Sequence, residues 1–329
     1  LDLNRVAGTG GHLRKLQKEL KQATPNVRPI IVALVISFCM GLIRTGHAQQ
    51  TAAPSIQQNF EKRLQEITPP VPPQDRYLTG KDDLVLFREP EFFSVKLDSG
   101  FGYVSNAFSS DDNRKHDQVW NENLTFRAET LIAEKYSVFA NISAFLSRYV
   151  RSSTLNYDGI NSAIGVRTRT GPWVLGGTYS ASLVAEPGLD KRIVSQHSPA
   201  GSITHTANLS ANTSLITSLS ASRAFATPSD YTNTSVRLSF TAVHRLNPTI
   251  LATGTLQGTQ KWYDDYFESS NGVARKDAAF DAVFTILQDL TENVSINTSI
   301  SIGYINSTLN SSDSFNVSVT PNLALQIRF

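Results

Sequence analysis

The chain has one cysteine, one methionine and almost no net charge: its 329 residues include 30 Lys+Arg and 28 Asp+Glu, a formal balance of +2. Cys39 lies inside an apolar run near the N-terminus, so a disulfide framework and a cysteine-based metal site are both excluded. The near-neutral balance, with basic residues scattered beyond the N-terminal region, gives no footing for a nucleic-acid partner. Charged residues are only 18% and hydrophobic residues 40%, yet no apolar run beyond that region is long enough to cross a bilayer as a helix. A chain of this kind can reside in a membrane only through strands. Nothing in its motifs implies a cofactor.

What the sequence does have begins with an export signal. Arg14, Lys15, Lys18, Lys21 and Arg28 precede the apolar run Ile30 to Ile43, and small residues at Thr45-Gly-His-Ala48 fit cleavage after Ala48. Phe38 is too bulky for the position before a lipidated cysteine, so lipidation of Cys39 is not expected. Residues 1–48 therefore read as a secretory signal peptide.

Residues 49–90 have a different texture and read as a Pro-rich periplasmic segment. Ser55-Ile-Gln-Gln58 forms a capping box ahead of Ile56, Phe60, Leu64 and Ile67, which share one helical face. Thr68-Pro-Pro-Val-Pro-Pro-Gln74 stops that helix and favours an extended segment. The region 55–74 is a leader, a plug for the C-terminal part of the chain, or a docking element for a periplasmic partner.

From residue 91 to 329 the period changes to two. The closing stretch shows it best: Phe315, Val317, Val319, Leu323, Leu325, Ile327 and Phe329 fall on one face, and Asn316, Ser318, Thr320, Asn322, Gln326 and Arg328 on the other. About twelve such segments succeed one another, among them Val138-Ala140-Ile142-Ala144-Leu146, Val236-Leu238-Phe240-Ala242 and Phe280-Ala282-Phe284-Ile286. The residues between these apolar positions are mostly Ser, Thr, Asn, Gln and Gly. Connections alternate in length. Short ones fall near Ala133–Lys135, Arg169–Pro172, Asn212–Thr213, Arg245–Pro248 and Asp289–Asn293. Long ones fall near Ala107–Gln118, Ser152–Asp158, Glu186–Ala200, Ala226–Thr232, Asp264–Lys276 and Ser307–Ser314. Tyr136 and Trp173 mark the short-turn side, with Trp120, Phe225, Tyr231, Trp262, Tyr263 and Tyr304 toward the long-loop side, as in two interfacial belts. Pro321 departs from an ideal strand and is expected at the rim or at a bulge.

Signal, alternation, loop pattern and the terminal aromatic Phe329 together make the chain resemble a bacterial outer-membrane β-barrel of the porin-like kind. The resemblance implies an all-β, antiparallel transmembrane barrel of about twelve strands. It also implies contact with outer-membrane lipid and lipopolysaccharide, and recognition of Phe329 by the barrel-assembly machinery.

With the apolar face toward lipid, parity sends Lys96, Arg127, Arg167, Arg237 and Arg328 into the lumen, against Asp98, Glu129 and Asp281. These eight are the candidate pore-lining residues. They either bias ion entry toward anions or pair across strands, with Asp98 and Glu129 near Arg127 and with Lys96 and Arg328 flanking the closure. A passive, narrow channel for small polar or anionic solutes is implied by the first reading, and a non-conducting barrel serving an envelope or polymer-export system by the second. An enzyme is the third class. Outer-membrane phospholipases resemble this architecture and use a lipid-facing His with a Ser two residues on. His205 is expected to face outward near the long-loop end of its strand, but position 207 is Ala, and His197-Ser198 falls in an expected loop before Pro199. No catalytic group is therefore assigned. Asp111-Asp112 and Asp264-Asp265 with Glu268 lack the spacing of a dedicated calcium loop and read as solvated loop charge.

Overall fold

The computed structural model describes residues 93–107, 116–133, 135–265, 274–308 and 313–328. The expected signal peptide, the segment 49–90 with its helix, Asp111, Asp112, Glu268 and Phe329 lie outside the described residues, as does the side chain of Arg328.

Alternation of apolar and small polar residues suits a pleated ribbon with one lipid-facing and one wet face, and twelve stretches adopt it. The strands are β1 (Phe93–Val104), β2 (Asp117–Ala133), β3 (Tyr136–Tyr149), β4 (Tyr157–Thr170), β5 (Trp173–Ala185) and β6 (Arg192–Ser210). They continue as β7 (Thr213–Thr227), β8 (Asn233–Asn247), β9 (Ile250–Tyr263), β10 (Lys276–Asp289), β11 (Val294–Ser307) and β12 (Ser314–Arg328). Each pairs antiparallel with its sequence neighbours, and β12 returns to β1 to close the barrel.

Short links at 134–135, 171–172, 211–212, 248–249 and 290–293 alternate with longer ones, the expected pattern except at one place. The long connection expected over Glu186–Ala200 is only 186–191, because β6 starts at Arg192 and carries His197, Ser198 and Pro199 in its ladder with β5. Polar residues and a proline disguised this strand, whose outward face needs only small or aromatic groups against Gly177, Tyr179 and Ala181.

Register fixes the faces. Leu97, Phe126, Val166, Leu238, Leu256, Phe284 and Ile300 are exposed apolar residues on one parity. Away from the short-turn rim, the opposite parity is buried or half-buried and faces the lumen. Trp120, Phe225, Trp262 and Tyr304 are exposed toward the long-loop end, with Tyr136 and Trp173 at the short-turn end. Tyr231 and Tyr263, expected in the outer belt, are buried instead. Tyr263 has the inward parity of β9, and Tyr231 sits in a short 3₁₀ turn that folds toward the lumen.

Two inward rings on β3 require glycine opposite them. A side chain at Gly165 would collide with the Phe139 ring and approach the Gly177 carbonyl to 2.7 Å, and one at Gly159 would collide with Phe145. Pro321 is neither at a rim nor at a bulge. It lies in mid-strand, paired with Thr298 of β11, and the β1–β12 register is the same on either side of it. Ser105 N–H donates to the Val317 carbonyl (2.9 Å), so bonded pairs recur at every second residue, and the Pro321 nitrogen falls opposite the Phe101 carbonyl. The ladder skips the pairs opposite Phe101 and Gly102 and resumes.

Phe284→Arg, at the middle of the outward face of β10, is expected to lower barrel stability by about 2–4 kcal/mol, and Gly165→Val by about 1–3 kcal/mol through overpacking against Phe139. Reversible denaturant unfolding in phospholipid vesicles measures both.

Candidate functional site: the barrel lumen

The inward face is built from hydroxyl and amide side chains that bond across neighbouring strands. Thr125 meets Ser143 (3.0 Å), Thr204 meets Ser218 (3.1 Å), Thr241 meets Thr255 (2.9 Å) and Thr285 meets Ser299 (2.9 Å). Ser301 meets Ser318 (2.6 Å), and Asn322 donates to Asn297 (2.9 Å). Short polar side chains suit this wall because they reach a neighbour about 5 Å away without filling the lumen.

On four consecutive strands this capacity is not used up. Asn123 Oδ1, Asn141 Oδ1, Asn161 Nδ2 and Ser182 Oγ have no hydrogen-bond partner. Asn161 lies between Ser143 and Ser182 in register, and Arg127 lies opposite Asn141, so the four form one polar patch on β2 to β5.

The charged residues divide into two walls. On β1 to β4, Lys96 pairs with Asp98 (2.9 Å), and Arg127 donates to Glu129 Oε2 at 2.5 Å. Arg167 Nη1 stands 4.0 Å from Glu129 Oε1, with its guanidinium 4.2 Å from the Phe139 ring centroid. Glu129 is 4% exposed and sits beside two arginines. Asp98 does not meet Arg127 as expected. Arg127 is opposite Ser94 and Asp98 opposite Asn123, so the two are separated along the strand and Asp98 takes Lys96 instead.

The other wall carries Arg237, opposite Thr259, and Asp281, opposite Gln257 and Gly303. The Asp281 carboxylate lies so close over Gly303 that a side chain there would come within 2.8 Å of it. At the seam, Arg328 pairs with Ser94 and Lys96 with Gln326 in backbone register.

Several inward groups are not among the eight candidates. Arg245 and Lys261 share the inward parity of Arg237 and Gln257, but the sequence pattern puts Arg245 in a turn that β8 in fact extends past. Asp277, four residues before Asp281 on the same face of β10, is buried and receives Arg275 Nε (2.8 Å) and Nη2 (2.6 Å), Tyr263 Oη (3.2 Å) and Ser307 Oγ (2.6 Å). Its parity could have revealed it; its partner Arg275, just before the strand, could not have been found that way.

On the β1 to β6 side, the long-loop end of the lumen is apolar. Val104, Val119, Phe145, Tyr149, Tyr157, Val184 and Val194, all on the inward face of β1 to β6, form a buried cluster with Leu155 and Tyr231 from two connecting turns.

Neither histidine lies where the sequence pattern put it. His205 pairs with Trp173, the first residue of β5, and its ring packs on that indole at 4.4 Å, so it belongs to the short-turn rim. His197 is in strand β6, its ring between Tyr179 (5.9 Å) and Phe225 (5.1 Å). Asp264 receives both terminal nitrogens of Arg223, one of them at 2.7 Å.

No protein-family model matches the sequence, and no curated protein sequence is similar to it. Solved structures are. An outer-membrane channel from Pseudomonas putida F1 superposes with a TM-score of 0.52 at 8% identity, over 75% of this chain and 98% of that one. The fold is that of an outer-membrane β-barrel. The NanC porin (TM-score 0.43, 9% identity, 70% of this chain, 98% of that one) is among the other matches. So is the translocator domain of autotransporter NalP from Neisseria meningitidis (0.45, 9%, 85% and 100%). At these identities the likeness establishes the architecture alone. Barrels of this architecture sit in the bacterial outer membrane with short turns toward the periplasm, and the exposed apolar band of this one is the surface that such a membrane covers.

Removing the carboxylate that Arg127 bonds has a definite expected cost. Glu129→Ala lowers unfolding stability by about 1.5–3 kcal/mol, the range for a hydrogen bond to a charged group. Glu129→Gln recovers part of it, as denaturant midpoints of the three proteins show.

Proposed function

We propose that this barrel is a passive, narrow, porin-like channel for small polar solutes, with a preference for anions. The observation that carries the reading is the inward face itself. Its middle is lined by hydroxyl and amide side chains, such as the pairs Thr125–Ser143, Thr204–Ser218, Thr241–Thr255 and Thr285–Ser299. A hydrated or hydroxylated solute can exchange water for such a wall at little cost, whereas an apolar solute would desolvate it.

The anion preference rests on inward charge. Lys96, Arg127, Arg167, Arg237, Arg245, Lys261 and Arg275 stand against Asp98, Asp117, Glu129, Asp277 and Asp281, and the remaining excess of positive groups in a confined, low-dielectric passage favours anions. Lys96 and Arg127 spend much of their field on bonded carboxylates. No step of the proposal is catalytic.

A second reading is favoured by one specific feature. The apolar cluster at the outer end suits a closed, non-conducting barrel that serves as a structural part of an envelope or polymer-export system.

Planar-bilayer recording separates the two. The channel reading expects discrete conductance steps, with a reversal potential in a salt gradient that shows anions crossing preferentially. Arg127→Glu and Arg237→Glu each shift that potential toward cations. Absence of steps from folded, inserted protein would favour the closed barrel.

A further inference from the structure

We propose that the 3₁₀ turn at 153–155 is a stopper for the outer mouth of the lumen, latched shut by Asp117. The proposal rests on the channel reading and adds to it a means of closing the passage from the cell-surface side.

The turn connects β3 to β4 at the long-loop end and directs Leu155 inward. Leu155 is 1% exposed, packed in a cluster whose other members include the inward residues Val119, Phe145, Val184 and Val194. An apolar cluster seated at the end of a polar lumen excludes water from the part of the path it covers, and dewetting of a hydrophobic constriction is a recognised way to close a pore. Tyr231, from the turn between β7 and β8, enters the same cluster from another part of the rim.

What holds the turn down is polar and local. Asp117, the first residue of β2, is itself buried and accepts three backbone N–H groups: Gln118 (2.7 Å), Arg151 (3.0 Å to Oδ1, 3.2 Å to Oδ2) and Ser152 (2.8 Å). Two of these donors belong to the connection that leads directly into the turn. The far side is pinned by Asn156, whose Oδ1 accepts Tyr149 N–H (2.7 Å). Tyr231 has a matching clasp, since Asn233 Nδ2 donates to its carbonyl (2.9 Å).

None of the bonds from Asp117 to Arg151 and Ser152 belongs to the β-ladder. The barrel wall closes through its own strand pairs, and releasing the turn leaves that wall intact. This separation is why the contact can serve as a movable closure: the turn can leave while every strand keeps its neighbours. A carboxylate is suited to the latch because both of its oxygens accept, so one side chain gathers donors from two chain segments.

The test compares the purified full-length protein with Asp117→Asn, Leu155→Ser and, as a control in the neighbouring connection, Asp190→Asn, by bilayer recording. Retained barrel structure is checked by circular dichroism and by heat-dependent gel mobility. Loss of charge-assisted bonds at Asp117 raises the open-to-closed ratio by about tenfold or more. Leu155→Ser raises it in the same direction, and Asp190→Asn leaves it unchanged. Hydrogen exchange at the Arg151 and Ser152 amides accelerates in Asp117→Asn. If wild type conducts and neither Asp117→Asn nor Leu155→Ser changes the open fraction, the stopper is overturned and the channel stands. If folded wild type and both variants are all silent, the channel reading itself falls and takes the stopper with it. Conduction that appears only in the two variants supports both.

Discussion

Closure of the hydrogen-bond ladder between β1 and β12 is the constraint on which the rest of the structure depends. In hydrocarbon an unpaired peptide group costs several kcal/mol, so an open sheet edge cannot face lipid and the strands must meet. Once they meet, period two leaves no freedom: one set of side chains faces lipid and the other faces inward all the way round. The tolerance of this seam for Pro321 comes from the same rule. A missing donor removes one bond opposite Phe101, and the ladder resumes in unchanged register because Asn322 and Val319 already have partners in Gly100 and Tyr103.

The inward surface that closure creates is a compromise between filling and passage. Twelve strands enclose a space that side chains can nearly occupy, and the middle and the outer end of this barrel treat that space differently. Across the middle, small hydroxyl and amide residues line the wall and bond to one another, with Phe139 fitted over Gly165. On the β1 to β6 side of the outer end, valines, aromatics and Leu155 replace them, while Arg275 and Asp277 stay paired on the other side. Charge is built into the same wall, where Arg127 and Glu129 bond to each other along β2.

Much of the fold was legible because its signal is local. The outward residues of β3, β8 and β10 are alternate positions in a short window, and the links at 171–172 and 248–249 carry Gly-Pro and Pro-Thr. The strand that resisted, β6, lacks apolar alternation in its first half because its outward neighbours are glycine, alanine and aromatic rings that accept His197 and Pro199. That missing signal displaces His205 from the short-turn rim to the opposite one. For the lumen, parity places side chains on a face but does not say how far apart along the barrel they lie. Parity alone therefore gives Asp98 to Arg127, although strand register sets it beside Asn123.

The sequence by itself determined the period, the alternation of short and long connections and the choice of face for each residue in a strand, because each depends on neighbours a few positions away. Only the tertiary structure decided what meets in the lumen. Register between strands brings Arg167 over Phe139 toward Glu129, and chain folding beyond the strand ends carries Leu155 and Tyr231 into one cluster. Those contacts join residues far apart in sequence across a curved, closed surface. No local pattern encodes their distance, which exists only once the last strand has found the first.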